Sequence, residues 1–378
     1  MTARPLLSAS PTAAVPAADT LVGRRRILAI LAGVALNLSG VEFGLQVYSH
    51  LRTGQSVWTR VESGSEFVGV PGSALRVMRP NAVFRGSEEE IRTNSLGLRS
   101  PELPAEKLPG EYRVAVIGAS SVMGAHAHSN ADTVAAALER RLQHDLPGRT
   151  VHVINGGIAG ADLGDQQLML DYIAERLHPD VALVYSGTND FAAYCRTAPA
   201  VAQAPRRQAP QFELPMWVMT DDMLLKNTVP LRPAARAGHR KVDPRTLDLA
   251  PYRHRLEALI DHAQQRHITL LLATNARSYR PGQPPALQEK LAETARYYNA
   301  CFDVAGLNTL YELHNDAIRQ TAATRGVRLV EAGEHIPGGA AHFSDSEHLN
   351  ALGIGLLADL FADALRAAGA HGRGDALP

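Results

Sequence analysis

Arg113-Val-Ala-Val-Ile-Gly-Ala-Ser-Ser-Val-Met-Gly124 passes from an apolar, β-branched run into small and hydroxyl residues, and this passage sets the fold class. Val114 to Ile117 has the length of a buried strand, and the residues after it suit a strand-to-helix turn. Four similar runs follow, at Val151 to Ile154, Val181 to Tyr185, Ile268 to Ala273 and Val327 to Val330. Segments of helical spacing separate them, for example Ala131 to His144, Tyr252 to Arg266 and Leu287 to Arg325, the last expected to break near Gly306. This alternation predicts an α/β fold: a three-layer α/β/α sandwich around a central five-stranded parallel sheet. Such sheets bind ligands beyond the carboxyl ends of their strands. Those ends carry Gly118-Ala-Ser-Ser121, Asn155-Gly-Gly157, Ser186-Gly-Thr-Asn-Asp190, Thr274-Asn275 and Glu331-Ala332. Residues 196 to 250 break the rhythm with Pro-rich, basic text and are expected to form a long excursion over that edge.

The 378 residues carry 38 Lys+Arg against 38 Asp+Glu, so no cationic field exists to gather nucleic acid. The 45% hydrophobic and 20% charged composition excludes a mostly disordered, collagenous or coiled-coil chain. Cys195 and Cys301 cannot by themselves supply a four-ligand zinc site. They leave open either two unpaired thiols, the favoured reading, or one bridge in an oxidising compartment.

Upstream of the sheet, residues 1–26 read as a disordered tail ending in Arg24-Arg25-Arg26, and 27–48 as a transmembrane anchor interrupted only by Glu42. The arginines predict a cytoplasmic N-terminal end, with the rest of this single-pass chain periplasmic or extracellular. A cleaved signal peptide is the alternative, although no clean small-x-small pair follows the apolar run. Residues 49–112 are punctuated by Pro and Gly and read as a connector leaning on the sheet domain at 113–366, with 367–378 as a C-terminal tail.

The Gly118–Gly124 loop fails as a dinucleotide fingerprint, because Ser120 and Met123 stand where glycines are needed. It fails as a G-x-S-x-G elbow at Val122, and it lacks the Gly-Lys-Ser/Thr of a P-loop. What remains is Ser120 at a helix N-terminus, where developing negative charge is favoured. A serine nucleophile needs a base and the base an orienting carboxylate. Ser344-Asp-Ser-Glu-His-Leu-Asn350 offers Asp345 and His348 about one turn apart, near the start of a helix over Ala351 to Leu365. Acyl transfer also needs oxyanion donors, which the Gly157 N–H and the Asn189 amide can supply. His126-x-His128 lacks a carboxylate or third histidine at ligand spacing, so no metal is expected. Arg206-Arg207 and Arg232 to Lys241 read as a solvated basic loop.

Ser120, Gly157, Asn189 and His348, in this order and with the first three at successive strand ends, resemble the four blocks of the SGNH (GDSL-type) hydrolases over roughly residues 90 to 366. Gly187-Thr-Asn-Asp190 and Asp345-Ser-Glu-His-Leu-Asn350 carry the resemblance most specifically. Thr93-Asn-Ser-Leu-Gly-Leu-Arg99 and Arg113 to Gly118 look like members with an N-terminal membrane anchor. The departure is Ala119, where the family usually has Asp. The resemblance implies a flavodoxin-like SGNH hydrolase fold and a cofactor-free serine esterase with Ser120 as nucleophile, His348 as base and Asp345 as its orienter. Ser120 N–H, Gly157 N–H and the Asn189 amide would form the oxyanion hole. The implied substrate is a small acyl ester on a carbohydrate or lipid. An O-acyltransferase acting on an exported polysaccharide and a decayed membrane-tethered binding protein are the alternatives.

Overall fold

A computed structural model describes residues 17–53, 66–85, 89–197 and 241–369. Helix α1 (Ala17–Thr53) belongs to one compact unit, and the sheet and its flanking elements to another. The helix contains the apolar stretch Ile27–Tyr48, of mean hydropathy 1.8, with Ile30, Leu36 and Phe43 exposed. It begins ahead of the expected anchor: Ala17 to Arg26, read from sequence as tail, is already helical. Pro16 stands just before its first residue, and the Ala, Leu and Arg that follow favour helix without any apolar periodicity.

The sheet unit opens with two antiparallel hairpins, β1 (Phe67–Gly69) with β2 (Arg76–Met78) and β3 (Val83–Arg85) with β4 (Glu90–Arg92). The five parallel strands are β5 (Glu111–Gly118), β6 (Thr150–Gly157), β7 (Val181–Tyr185), β8 (Thr269–Ala273) and β9 (Arg328–Val330), in the order β6-β5-β7-β8-β9. They match the five runs predicted from sequence.

The helices in chain order after α1 are α2 (Ser120–Met123), α3 (Val134–Asp145), α4 (Leu163–Leu177), α5 (Phe191–Thr197) and α6 (Ala250–Gln265). They continue as α7 (Pro285–Leu291), α8 (Glu293–Tyr298), α9 (Val304–Arg325), α10 (Ala332–His335) and α11 (Ala351–Gly369). Side chains alternate between the faces of a strand. Accordingly Val114 and Val116 of β5 enter one buried cluster, with Leu138 and Leu142 of α3 and Leu357 and Phe361 of α11. Ala115 and Ile117 enter the other, with Leu170 and Ile173 of α4 and Leu259 of α6. Each fully buried Leu or Ile contributes on the order of 1.5–3 kcal/mol, so both layers are needed to cover a strand with no polar face. The hairpin segment contributes Leu75, Val77 and Leu98 to the second cluster, so it shares the core of the sheet it precedes.

The expected break near Gly306 falls instead between Tyr298 and Val304, with a lesser one at Ala292. Asp303 caps α9 by accepting from Gly306 N–H at 2.8 Å, so the glycine lies inside the first turn. The excursion expected at 196–250 returns to the described chain at Lys241, and residues 198–240, including Arg206-Arg207, lie outside it. Lys241 itself pairs with Asp303 at 2.7 Å.

From β5 the chain moves to β6 on one side and then to β7 on the other. Connections that diverge in this way open a crevice at the carboxyl end of the central strand. Ser120 sits there.

Candidate active site

Helix α2 starts at Ser120, immediately after β5. Ala119 is buried at its N-cap and makes no side-chain cap bond, so the helix end is closed only by backbone, with Val122 and Met123 N–H donating to Ala119 O. The close approach of β6 to this helix explains Gly157: a Cβ there would lie 2.0 Å from Met123 N.

Ser120 Oγ lies 2.8 Å from His348 Nε2, and His348 Nδ1 lies 2.7 Å from Asp345 Oδ2. Asp345 and His348 occupy a loop rather than the first turn of a helix. Asp345 Oδ1 accepts from the N–H groups of Glu347 and His348, both at 2.9 Å, and this closes the turn that aims the imidazole. Helix α11 starts only afterwards, with Asn350 Oδ1 accepting from Leu352 and Gly353 N–H.

The electrostatics follow from this geometry. Burial opposes ionisation of Asp345, but the nearby His126 ring and the hydrogen bond from His348 outweigh it and hold the carboxyl well below the usual carboxylate range. Burial likewise opposes the charged form of His348, yet the bond and the negative charge of Asp345 overcome it and raise the imidazole above its ordinary value. A carboxylate that stays ionised beside a histidine that gains a proton readily is what serine activation requires.

The profile of the GDSL-like Lipase/Acylhydrolase family matches residues 116–354, well over half of the chain. The chain belongs to this family. It is a serine hydrolase of the SGNH/GDSL type, with the sheet and flanking helices of that fold. Solved structures similar to it include a lipase/acylhydrolase from Enterococcus faecalis, 14% identical, with 68% of this chain and 96% of that one covered and a TM-score of 0.42. Another is a variant of an acetyl xylan esterase from Geobacillus stearothermophilus, 16% identical, with coverages of 67% and 94% and a TM-score of 0.42. A third is a psychrotrophic esterase from a Pseudoalteromonas species, 14% identical, with coverages of 68% and 97% and a TM-score of 0.39. No curated protein matches the chain.

In the hydrolase, a small cleft of about 20 Å³ lies beside Ser120 and is walled by residues that include Tyr185, Asn189, Asn275, Tyr311, Glu347 and His348. The expected donors are placed differently from one another. Ser120 N–H has no acceptor among the described residues. Asn189 Nδ2 gives one hydrogen to Ala161 O at 3.0 Å, which leaves its second hydrogen for a ligand. Gly157 N–H donates to Asn155 Oδ1 at 3.0 Å, so an oxyanion would share it with that side chain. The neighbouring Asp190 accepts from Leu163 N–H and from Arg255, and burial together with the charge of Asp162 pushes its pKa up to about 6.

Three features of the site escape the sequence reading. Glu347 is enclosed with Thr188, whose Oγ1 donates to it, and burial raises its carboxyl above the ordinary range. Its only sequence signal was its place inside Asp345–His348. Asn155, at the end of β6, reaches Met123 O as well as Gly157 N–H. His126 has no carboxylate nearby in sequence, but the fold sets its Nε2 3.6 Å from Asp345 Oδ2 and its ring edge-on to His348 at 5.1 Å. His126, Asp345 and His348 thus have the composition of a metal site, with ligand atoms within 4.8 Å of one another. The 2.7 Å contact between Asp345 and His348 would have to open to admit an ion. His128 is exposed and does not join this group.

Cys195 and Cys301 form a disulfide, which overturns the favoured reading of two unpaired thiols. It joins α5, just beyond the Asn189 loop, to the segment ahead of α9, in the cluster that contains Tyr311 and Phe302.

Proposed function

We propose that the hydrolase cleaves small, acetyl-sized acyl esters on a carbohydrate or lipid through an acyl-enzyme, working outside the cytoplasm from a membrane tether. The observation that carries this reading is the continuous contact from Ser120 Oγ through His348 to Asp345, beside a small cleft. Ser120 Oγ attacks the ester carbonyl while His348 Nε2 takes its proton, and Asp345 stabilises the imidazolium. The oxyanion is held by Ser120 N–H and the free hydrogen of Asn189, with Gly157 N–H sharing its bond. Collapse breaks the bond to the alkoxide, which recovers the proton from His348 and leaves Ser120 acylated. Water attacks the acyl-enzyme by the same route. Tyr185 and Tyr311 wall the cleft and favour a short acyl chain.

Incubating the full chain in detergent with acetylated glycans, longer-chain esters and aryl acetates tests this reading. Acetate release in preference to longer acids supports it, and failure to turn over any of them removes it.

Asn189→Ala should lower kcat by on the order of 10² to 10³ with little change in KM, because a donor aimed at a tetrahedral oxygen acts mainly in the transition state. Steady-state kinetics on an aryl acetate separate the two constants. A steep rise in KM at constant kcat would instead make Asn189 a ground-state binding residue.

The tether rests on Ile27–Tyr48, whose 22 residues span about 33 Å as helix, enough for a hydrocarbon core of roughly 30 Å. Arg24-Arg25-Arg26 on its N-terminal side favours a cytoplasmic start. The Cys195–Cys301 disulfide fits an oxidising compartment on the other side. A reporter fused after Pro378 should therefore be active only outside the cytoplasm, and cytoplasmic activity would reverse the assignment.

A further inference from the structure

The segment before the sheet contains a buried arginine for which the catalytic scheme has no use. Arg99 is 3% exposed and lies near the nucleophile helix. Its Nη1 donates to Gly124 O at 2.6 Å and Met123 O at 3.2 Å, its Nη2 to Ala127 O at 3.1 Å and Glu90 O at 3.3 Å, and its Nε to Asn130 Oδ1 at 3.1 Å. A cation this deeply buried, satisfied by main-chain and amide oxygens rather than a carboxylate, is costly unless its geometry is used.

Three of the carbonyls it gathers, those of Met123, Gly124 and Ala127, belong to the turn that follows Ser120. Gly124 and Ala125 N–H both donate to Ser120 O, at 2.9 and 3.0 Å, so this turn is bonded directly to the nucleophile's own backbone. Gly124 has φ +88°, and a Cβ there would come within 3.1 Å of Arg99 Nη1, so glycine both forms the turn and makes room for the guanidinium. The same turn carries His126, beside Asp345. The next residue extends the link to the other side of the site: Ser100 Oγ accepts from Asn155 N–H at 2.7 Å, and Asn155 holds Gly157 N–H.

The stretch leading to Arg99 is built to deliver it. Thr93 Oγ1 donates to Arg79 O and accepts from Ala82 N–H, which ties the stretch to the hairpins. Asn94 Oδ1 accepts from Leu96 and Leu98 N–H, both at 3.0 Å, and folds the chain back so that Leu98 enters the core while Arg99 turns to the carbonyls.

We infer that Arg99 is a positioning residue for hydrolysis: its guanidinium clamps the 123–127 turn, fixing Ser120 against His348, and with Ser100 it makes the 89–102 segment part of the catalytic apparatus. This rests on Ser120 being the nucleophile. Arginine suits the role because its planar fork can bond several carbonyls at once, whereas a lysine ammonium reproduces the charge without the fork.

The test uses the full chain in detergent, with Arg99→Lys and Arg99→Ala beside the unaltered protein and Ser120→Ala. It measures fluorophosphonate labelling rate, kcat, KM and folded fraction by circular dichroism. Both arginine variants should label and turn over about 10- to 100-fold more slowly per folded molecule, with KM within about threefold, since small misplacements of reacting groups cost this much. Methylguanidinium should restore part of the rate of Arg99→Ala but none of Ser120→Ala. An entry path exists: a cleft of about 490 Å³ is lined by Arg92, Asn94, Arg99 and Asn130. Unchanged rates per folded molecule, or losses that follow the folded fraction alone with no rescue, would overturn the inference. An unaltered protein that fails to label at all would instead overturn Ser120 as nucleophile, which keeps the two failures distinct.

Discussion

Ser120→Ala should lower kcat by on the order of 10⁴ to 10⁶ and abolish fluorophosphonate labelling, with the thermal midpoint nearly unchanged. The magnitude follows from the loss of covalent catalysis as a whole: without Oγ, His348 has no proton to take and Asp345 no imidazolium to stabilise. The fold should survive because the Ser120 hydroxyl makes its side-chain contact with His348 alone, and the helix it starts is closed by backbone bonds to Ala119 O. Labelling that persisted, or moved to Ser121, whose Oγ reaches Glu347 O at 3.4 Å, would sink the assignment.

Asp345→Asn should cost on the order of 10⁴ in kcat and also displace the pH profile. An asparagine amide facing His348 Nδ1 can donate to it, which drives the ring proton onto Nε2, the atom that must accept from Ser120. The pH effect has a definite sign. His348 acts as a base only when neutral, so activity rises with pH through its pKa, and Asp345 holds that pKa above the ordinary histidine value. Removing the charge leaves burial, the largest influence on the ring, opposed only by Glu347, so the acid limb of kcat/KM should move to lower pH even as the plateau collapses. A limb that stayed in place would mean that Asp345 does not set the charge state of His348.

Much of this molecule was legible before folding was considered. The five strands stood out because strands buried on both faces admit few polar residues, and Val114 to Ile117 or Val181 to Tyr185 therefore read as unbroken apolar runs. The ends of those runs pointed to chemistry because a parallel sheet delivers every carboxyl end to one edge. Elements without that constraint were read less well. The start of α1 was missed because helix propensity at Ala17 to Arg26 leaves no periodic trace, and the break in the 287–325 region was drawn to a glycine that α9 accommodates in its first turn.

The sequence by itself determined the fold class, the apolar segment near the N-terminus and the residue types for serine chemistry, all properties of local composition and of the periods 2 and 3.6. The tertiary structure alone decided which of them meet. Ser120 and His348 are 228 residues apart in the chain yet in contact at 2.8 Å, and the Cys195–Cys301 bridge spans 106 residues. The sharing of Gly157 N–H with Asn155, the approach of His126 to Asp345 and the grip of Arg99 on the turn after Ser120 are likewise outcomes of packing. Such contacts leave no local mark, because their cost is the closure of long loops and their gain is the burial of apolar surface distributed over the whole core.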